Sequence, residues 1–465
     1  MPLILPSNSI SAGGYEVDNS LRFDDGSSDY LNKTFGSSGN RKLWTWSCWL
    51  KRTTNSTNDT TFAGYVDANN RLRFNFNPNS IEIYGKISGT EVSVITTQVF
   101  RDVSAWYHFV WVMDTAQGTA SDRMKIYVNG EQITSFSSTT YPSQNAESVI
   151  NNNTGHFIGQ RGDNSTWLSG YLAECVFIDG QALDPTSFGE FDEDTGIWKP
   201  IDVSGLTFGT NGFYLDFQNS GSLGADVSGN GNNFTVNNLT SIDQSTDTCT
   251  NNSCVINSLD NHFYNATLSE GNLKQTANSG NYSFGTSTFG ISSGKWVVEV
   301  KIESGSTVRN VMGITDKVST GTTNELGSLA NGYGYSANGL IYNNGSEITG
   351  SYDTFTTNDI IGIYLDLDNN KLYFSKNGTV QNSGTGISIT APSSTTNGVY
   401  FFAFGDYGAS DDSVNNVNFG SPAFAISSGN TDGEYGNFEY TTTITGDSAS
   451  KTFKALNTKN LAEYG

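Results

Sequence analysis

Short alternating segments that end in tight-turn dipeptides restrict the fold of this chain more than any other feature. The segment 124–130 alternates apolar and polar residues and ends in Asn-Gly, and the segment 171–178 is followed by Asp-Gly. Asn-Gly or Asp-Gly after alternating residues predicts a β-hairpin. Such segments recur about every 10 to 15 residues with no helical period between them, which predicts an antiparallel sandwich.

The composition agrees with pleated sheets joined by polar turns. Aromatic residues are 12% of the 465 residues and charged residues only 15%, while glycine occurs 51 times. Aromatic residues favour strands and glycine favours turns, so a helical bundle and a coiled-coil fibre are excluded. One short helix is predicted over 184–191, with Asp184 as its N-cap and Pro185 in its first turn.

The chain is strongly acidic, with a formal charge of −22. A surface of this sign repels phosphate backbones, so we expect no nucleic-acid partner. The apolar runs 360–364 and 399–404 are far shorter than a membrane span, so we expect no membrane insertion. The segment 1–6 has no basic residue and is too short for a signal peptide, so we expect no secretory route.

The four cysteines fall into two groups. Cys48 and Cys175 lie in strand-like segments and are predicted to be buried free thiols. Cys249 and Cys254 flank a polar loop, and they are the one pair that we expect to oxidise if any pair does. Zinc is the weaker alternative, because the spacing does not fit and His262 is the only histidine nearby.

Signals for catalysis are weak. His108 and His156 belong to no metal-binding pattern. The acids of segment 190–194 are the best candidates for the carboxylate pair of a glycanase. They follow a proline-initiated turn, and we favour solvated acids of a surface turn.

Two segments of the sequence supply oxygen atoms that could bind calcium. The segments 366–370 and 192–194 each carry acidic or amide side chains, but neither forms the loop of twelve residues with a closing glutamate. Asp and Asn also build turns without metal, and we favour this interpretation. We therefore expect no cofactor, and we leave structural calcium open.

One loop combines the residue types of a sugar site. Arg161, Asp163, Asn164 and Trp167 bring a guanidinium, a carboxylate, an amide and an indole together within seven residues. Sugar sites use an aromatic platform with amide and carboxylate hydrogen bonds. We predict ligand binding by these four residues, and we treat the Arg-Gly-Asp triplet as a chance match.

The first half of the chain resembles a laminin-G or concanavalin A-like jelly roll. The similar segments are 19–24, 30–31, 44–50, 106–114 and 126–130. The close of this region is more specific, because segments 168–185, 188–192, 196–200 and 211–235 are similar to large structural proteins of marine bacteriophages. This resemblance implies a virion protein.

The second half resembles the SPRY domain, another jelly roll. The similar segments are 293–300, 312–314, 332–335, 358–368, 371–374, 376–378 and 417–420. Hairpins are predicted at 368–371 and at 377–378. Together the two resemblances cover about residues 15 to 425, and a further strand is predicted over 438–444.

The predicted fold is all-β, with two tandem concanavalin A-like jelly-roll sandwiches, an irregular linker and a short C-terminal tail. The predicted domains are an N-terminal arm (1–18), a laminin-G-like sandwich (19–200), a linker or strap with extra strands (201–280), a SPRY-like sandwich (281–425) and a tail with one strand (426–465).

The resemblance implies a non-enzymatic bacteriophage virion surface protein. It would be a tail fibre, spike or capsid-decorating subunit, assembled in the host cytoplasm, with other virion proteins and host-surface glycans as partners. Such a protein would be a homo-oligomer or displayed in many copies. The alternatives are a secreted bacterial adhesin or glycan-binding protein and, less favoured, a polysaccharide-degrading enzyme.

Overall fold

The structure is a computed structural model that describes most of the chain. The described residues are 14–55, 58–262, 266–277, 283–305, 310–317, 325–406, 413–428, 430 and 433–465, so most of the predicted arm 1–18 lies outside them. Those up to Thr250 form one compact unit, the N-terminal unit, and those from Asn251 form a second, the C-terminal unit. Strand accounts for 45% and helix for 6%, which confirms the all-β class.

The N-terminal unit consists of strands joined by turns. Its strands are β1 (Ser20–Phe23), β2 (Tyr30–Thr34), β3 (Leu43–Arg52), β4 (Thr60–Asp67), β5 (Asn70–Asn77), β6 (Ser80–Ile87), β7 (Thr90–Val99), β8 (Trp106–Asp114), β9 (Met124–Val128), β10 (Glu131–Gln132), β11 (Phe136–Thr140), β12 (Gly155–Ile158), β13 (Gly170–Asp179), β14 (Gly189–Phe191), β15 (Trp198–Pro200), β16 (Phe213–Leu215), β17 (Thr235–Asn237) and β18 (Gln244–Ser245). Short 3₁₀ helices cover Ala120–Asp122, Pro185–Ser187 and Ser241–Asp243.

Two antiparallel sheets face each other in this unit. Sheet 1 has the strand order β10-β9-β8-β3-β13-β1-β18, with β16 also paired to β13. Sheet 2 has the order β11-β7-β6-β5-β4-β12-β2-β17. The predicted hairpin after residue 128 is confirmed, because β10 pairs with β9 directly across Asn129-Gly130.

Aromatic side chains fill the space between the two sheets. Trp46 of sheet 1 stacks on Phe62 of sheet 2 with 4.3 Å between ring centroids, and Trp44 meets Trp111 edge to face at 4.6 Å. Burial of one such ring stabilises the fold by roughly 1.5–3 kcal/mol. The alternation of Trp44, Trp46 and Cys48 thus builds the core, as the period-two pattern predicts.

The two sheets differ in their outer faces. The outer face of sheet 1 is covered by apolar side chains from segment 183–214, including Phe188 and Phe208. The outer face of sheet 2 instead carries half-buried polar and aromatic side chains, among them Tyr65, Arg73 and Tyr84. A surface for ligands is therefore available on sheet 2.

The segment predicted as a linker or strap contributes strands to the N-terminal unit. Up to Thr250 it supplies β16, β17 and β18, which pair with β13, β2 and β1. Its Asp247 forms an ion pair with Lys51 of β3, and both side chains are buried.

The predicted helix 184–191 is wrong beyond its first turn. Asp184 does accept a hydrogen bond from the Thr186 amide at 3.0 Å, but the 3₁₀ turn ends at Ser187. Residues 189–191 form β14 and pair with β15. Packing favours the strand over the helix here, because pairing of β14 with β15 brings the Phe191 ring to 4.9 Å from the Trp198 ring.

The C-terminal unit repeats the double-sheet plan. Its elements are β19 (Ile256–His262), β20 (Thr267–Ser269), β21 (Lys274–Thr276), β22 (Ser283–Ser287), β23 (Lys295–Ser304), β24 (Asn310–Thr315), β25 (Tyr333–Ser336), β26 (Ile341–Asn343), β27 (Ser346–Ile348), β28 (Ile360–Asp366), β29 (Lys371–Lys376), β30 (Thr379–Val380), β31 (Ile387–Ser388), β32 (Phe401–Asp406), β33 (Val414–Asn418), β34 (Thr443–Gly446), β35 (Ala449–Thr452), β36 (Lys454–Ala455) and α1 (Thr458–Tyr464). Short 3₁₀ helices cover Leu326–Ser328, Asn382–Gly384 and Pro392–Ser394.

Its two main sheets enclose a second core. Sheet 3 has the order β19-β22-β32-β24-β25-β26-β27, and sheet 4 has the order β20-β21-β33-β23-β28-β29-β30. Both predicted hairpins are confirmed, because β28 pairs with β29 and β29 with β30. Trp296 and Phe402 lie in the apolar core of this unit.

The C-terminal tail differs from the prediction of one strand over 438–444. The strand pair begins only at Thr443, where β34 pairs with β35. The preceding backbone is used differently, because the amides of Glu439 and Tyr440 donate to the carboxylate of Glu299 at 2.9 and 2.8 Å. The tail ends in α1, which was not predicted and which Asn457 caps.

No helix of the described residues has both the length and the apolar character that a membrane crossing requires.

Candidate ligand-binding loop

The predicted sugar loop leaves β12 and returns before β13. The Gly159 amide donates to the Thr61 carbonyl at 3.0 Å, and the Leu168 amide donates back to the Gly159 carbonyl at 2.9 Å. These two bonds close a compact loop against β4. Gly162 has φ +91° and approaches Tyr65 so closely that a Cβ at this position would lie 2.6 Å from the tyrosine Cβ. The loop therefore rests directly on the outer face of sheet 2.

Arg161 and Asp163 bind each other. The Arg161 Nε lies 2.8 and 2.9 Å from the two carboxylate oxygens of Asp163, and Ser165 Oγ donates to the same carboxylate at 2.7 Å. The hydrogen bonds that Arg161 donates to Asp163 raise the pKa of Arg161. Burial alone would raise the pKa of Asp163, but the bonds from Arg161 and Ser165 outweigh it and lower this pKa. The pair thus presents one orientated guanidinium at the surface.

Asn164 and Trp167 occupy different environments. Asn164 is exposed and adopts φ 58°, and its Oδ1 accepts a bond from the Gln160 side chain at 3.3 Å. Trp167 is half-buried, and its Nε1 is buried without a hydrogen-bond partner among the described residues. Of the four predicted residues, the structure brings Arg161 and Asp163 into contact and leaves an indole donor unused.

Residues that the sequence prediction missed lie under this loop. Arg73 of β5 is close enough to Arg161 for their charges to interact, and Tyr65 and Tyr84 act on the charge of Arg161 in the same way. The signal was present in the alternation of 71–76, whose apolar residues mark the core and whose arginines mark the outer face.

The two histidines with described side chains are structural. Trp198 Nε1 donates to His108 Nδ1 at 3.0 Å, so the Nε2 of the neutral ring donates to Ser47 Oγ at 2.8 Å. Burial lowers the pKa of His108 to about 3. In His156 the Nε2 accepts from the Asn151 amide, and burial lowers its pKa to about 4. Both rings stay neutral at ordinary pH. The side chain of His262 is not among those described.

Two acids of segment 190–194 lie beside the same lysine. Glu190 is exposed, 3.4 Å from Lys199, whereas Asp192 is buried. The Asp192 carboxylate accepts from the Thr195 amide at 3.0 Å and lies 3.2 Å from Lys199 Nζ. The turn prediction is therefore confirmed. The expectation of solvated acids is wrong for Asp192, because its buried carboxylate accepts hydrogen bonds from residues of the turn.

The candidate calcium oxygens are neutralised by lysines. Asp366 is buried and lies 3.8 Å from Lys295 Nζ and 3.2 Å from Lys451 Nζ, and Asp368 also pairs with Lys295. No cluster of three or more potential metal ligands occurs in the part of the chain that the structure describes.

All four cysteines are free in the structure. Cys48 and Cys175 are buried, as predicted. Cys249 and Cys254, the pair expected to oxidise if any pair did, are not bonded, and Cys254 is buried with its Sγ 3.4 Å from Thr288 Oγ1.

The two β-sandwiches, one in each unit, place this chain in the class of concanavalin A-like jelly-roll proteins. Residues 25–186 match the laminin G family described as the concanavalin A-like lectin/glucanases superfamily, and residues 295–404 match the SPRY domain. The chain thus contains one domain of each type, and both types are often binding or adhesion modules. No curated protein matches the chain.

Several solved structures are similar to this chain, over about a third of its length or over most of it. Domains LG4-5 of the mouse laminin alpha1 chain are 10% identical, with 90% of this chain and 92% of that chain covered and a TM-score of 0.30. The SPRY domain of human HERC1 is 18% identical, with 31% and 87% covered and a TM-score of 0.26. A heptameric SAP-like pentraxin from Limulus polyphemus is 17% identical, with 36% and 78% covered and a TM-score of 0.27.

Proposed function

We propose that this chain is a non-enzymatic surface protein of a bacteriophage virion that binds host-surface glycans. It would serve as a tail fibre, spike or capsid-decorating subunit, assembled in the host cytoplasm beside other virion proteins. The observation that carries the binding role is the presence of a laminin-G-type and a SPRY domain in one chain. The virion role is supported by the similarity of segments 168–200 and 211–235 to phage structural proteins.

The non-enzymatic part of the proposal is supported by how the candidate groups are used. Both nitrogens of His108 and of His156 are engaged inside the fold, and Asp192 closes a turn. Conversion of Glu190, Asp192 and Glu193 to amides should therefore change no glycan-cleavage rate, because we expect no cleavage. Cleavage that disappears in this triple variant would support the glycanase alternative instead. No cofactor is proposed, because lysines compensate Asp366.

The virion assignment is tested on purified particles. Mass spectrometry should find this chain in them, and low-resolution imaging should place it at the particle surface in several copies. Recovery of the chain from bacterial envelopes and not from particles would support the secreted-adhesin alternative.

Glycan binding is tested with the loop variant Trp167→Ala. A single site of this kind should bind weakly, at roughly millimolar concentration, so wild type and variant are presented as monomers and as multimers to host cells and a glycan array. The multimer of wild type should bind and that of the variant should bind less. Equal binding by the variant in both formats would remove the loop from the site.

A further inference from the structure

Alternate side chains of β5 point away from the core and create a cationic surface. The residues on either side of Arg73 along the strand are buried in the sandwich core, so Arg71 and Arg73 lie on the outer face of sheet 2. The strand register pairs Arg73 with Tyr84 of β6 and Arg71 with Tyr65 of β4. Two arginines and two tyrosines therefore lie side by side on one face.

One tyrosine ring holds both arginines in place. The guanidinium carbon of Arg73 lies 4.7 Å from the ring centroid of Tyr84, and that of Arg71 lies 5.9 Å from the same centroid. A cation over an aromatic face is attracted by the ring quadrupole. The stacked arrangement therefore reduces the freedom of both guanidinium groups before any ligand arrives.

The Arg161 loop adds a third guanidinium to the same face. Burial lowers the pKa of Arg73, and repulsion from Arg161 and Arg71 lowers it further, against the attraction of Glu82. The nearest Glu82 oxygen is 3.9 Å from Arg73, which is long for an ion pair. Like charges near one another are unfavourable unless an anion compensates them, as Asp163 does for Arg161.

Arg71 has unused capacity to bind an anion. Its side chain is only half-buried, and it forms no ion pair with any residue in the described ranges. Within this cluster, two carboxylates, those of Glu82 and Asp163, oppose the positive charges of three arginines. In a chain with a net charge of −22, such a cluster of arginines marks a surface for a negatively charged partner.

We propose that this surface, the arginine face formed by Tyr65, Arg71, Arg73, Tyr84 and Arg161, binds an acidic polysaccharide. Carboxylate or sulfate groups of the sugar chain would bind Arg71 and Arg161, because guanidinium groups form charge-assisted hydrogen bonds with such anions. The apolar side of a sugar ring would pack on Tyr65. This inference rests on the proposed glycan-binding function and gives it a ligand class and a surface.

Arg71→Gln is the sharpest variant, because Arg71 lies over the Tyr84 ring and forms no ion pair in the described ranges that its loss would break. Lys125→Gln is the matched control, since it removes one positive charge from β9 of the opposite sheet. Arg161→Gln is a second variant that removes a cation from the loop instead of the strand. Circular dichroism and thermal unfolding verify that all three variants are folded.

The probes are an alginate oligosaccharide, a heparin oligosaccharide, a neutral dextran oligosaccharide and a single-stranded oligodeoxynucleotide, each offered to multimeric protein at low and at physiological salt. Wild type should bind alginate or heparin at least about tenfold more tightly than dextran. Arg71→Gln and Arg161→Gln should each weaken acidic-glycan binding about five- to tenfold and reduce its salt dependence. Lys125→Gln should stay within about twofold of wild type.

The outcomes separate this inference from the proposed function. Equal binding of acidic and neutral glycans, unchanged in Arg71→Gln, would overturn the acidic-ligand inference and leave glycan binding intact. Binding of the oligodeoxynucleotide as tightly as the acidic glycans would also overturn it, because the face would then not select sugars. Binding of no glycan in multimeric form, on array or cells, would overturn both.

Discussion

The ammonium group of Lys51 lies 2.7 Å from the carboxylate of Asp247, and neither side chain is more than 1% exposed. Asp247 also accepts a hydrogen bond from Trp106 Nε1 at 3.0 Å. These contacts attach the end of the 201–250 segment to sheet 1. A buried ion pair is expensive to break from one side, because the remaining charge is left in an apolar environment.

Asp247→Asn should therefore destabilise the N-terminal unit strongly. Removal of one partner of a buried pair lowers the free energy of unfolding by about 3 to 5 kcal/mol. Urea unfolding followed by tryptophan fluorescence measures the change. Glu147→Gln is the control, since its pair with Arg41 is largely exposed and should contribute less than about 1 kcal/mol. Similar losses in the two variants would contradict a structural role for the buried pair.

Glu299→Gln should loosen the C-terminal tail. The Glu299 carboxylate accepts from the amides of Glu439 and Tyr440, and a glutamine would place an N–H donor against such amides. The expected cost is about 1 to 3 kcal/mol. Hydrogen exchange of segment 438–442 should become faster than in wild type.

The control for the tail is Glu303→Gln on the same strand, whose half-exposed carboxylate bonds to Lys274 and Asn416. Exchange in 438–442 should not change in this variant. Unchanged exchange in Glu299→Gln as well would show that the tail docks through its apolar residues alone.

Glu174 should make stability depend on pH. Burial raises the pKa of this carboxyl to about 7, against hydrogen bonds from Tyr214 and Tyr15. In an unfolded chain a glutamate titrates near pH ~4.3. Between these values the folded protein holds more protons than the unfolded chain, so the free energy of unfolding falls as pH rises through this window.

Glu174→Gln removes this titration and should flatten the dependence between about pH 4.3 and 7. Glu299, whose pKa burial also raises to about 7, keeps its contribution in both proteins. The test is therefore the difference between the unfolding curves of wild type and variant over this range. Parallel curves would contradict a shifted pKa for Glu174.

Thiol labelling should distinguish the cysteines. Cys48, Cys175 and Cys254 are buried, so a thiol reagent should modify them only in denaturant, whereas half-buried Cys249 should react first in the native protein, and slowly, because burial raises the pKa of its thiol. Mass mapping of labelled peptides measures this order. A Cys48–Cys175 disulfide in the isolated protein would contradict it and would also oppose assembly in a reducing cytoplasm.

Local sequence was sufficient for the strands and hairpins. Alternation and turn dipeptides act over a few residues, so the hairpin after β9 and the one after β28 follow from the residues that form them. The two sandwich types could also be inferred, because their motifs are short and local. In the loop, sequence brought Arg161 and Asp163 together correctly because they are two residues apart.

Long-range packing decided what the sequence could not. Segment 438–442 has the composition of a strand, but its amides bind Glu299, some 140 positions earlier in the chain. Likewise, the sequence suggests that Asp192 is a surface acid, but in the folded turn its carboxylate accepts a hydrogen bond from the Thr195 amide.

By itself, the sequence determined the all-β class, the order of the two sandwiches and the alternation that separates core from surface. Only the tertiary structure brought the loop of Arg161 onto the face of sheet 2, where its charge acts on that of Arg73 on a distant strand. The physical reason is that alternation states which face of a strand a side chain occupies, whereas strand order in the sheet decides which side chains become neighbours on that face.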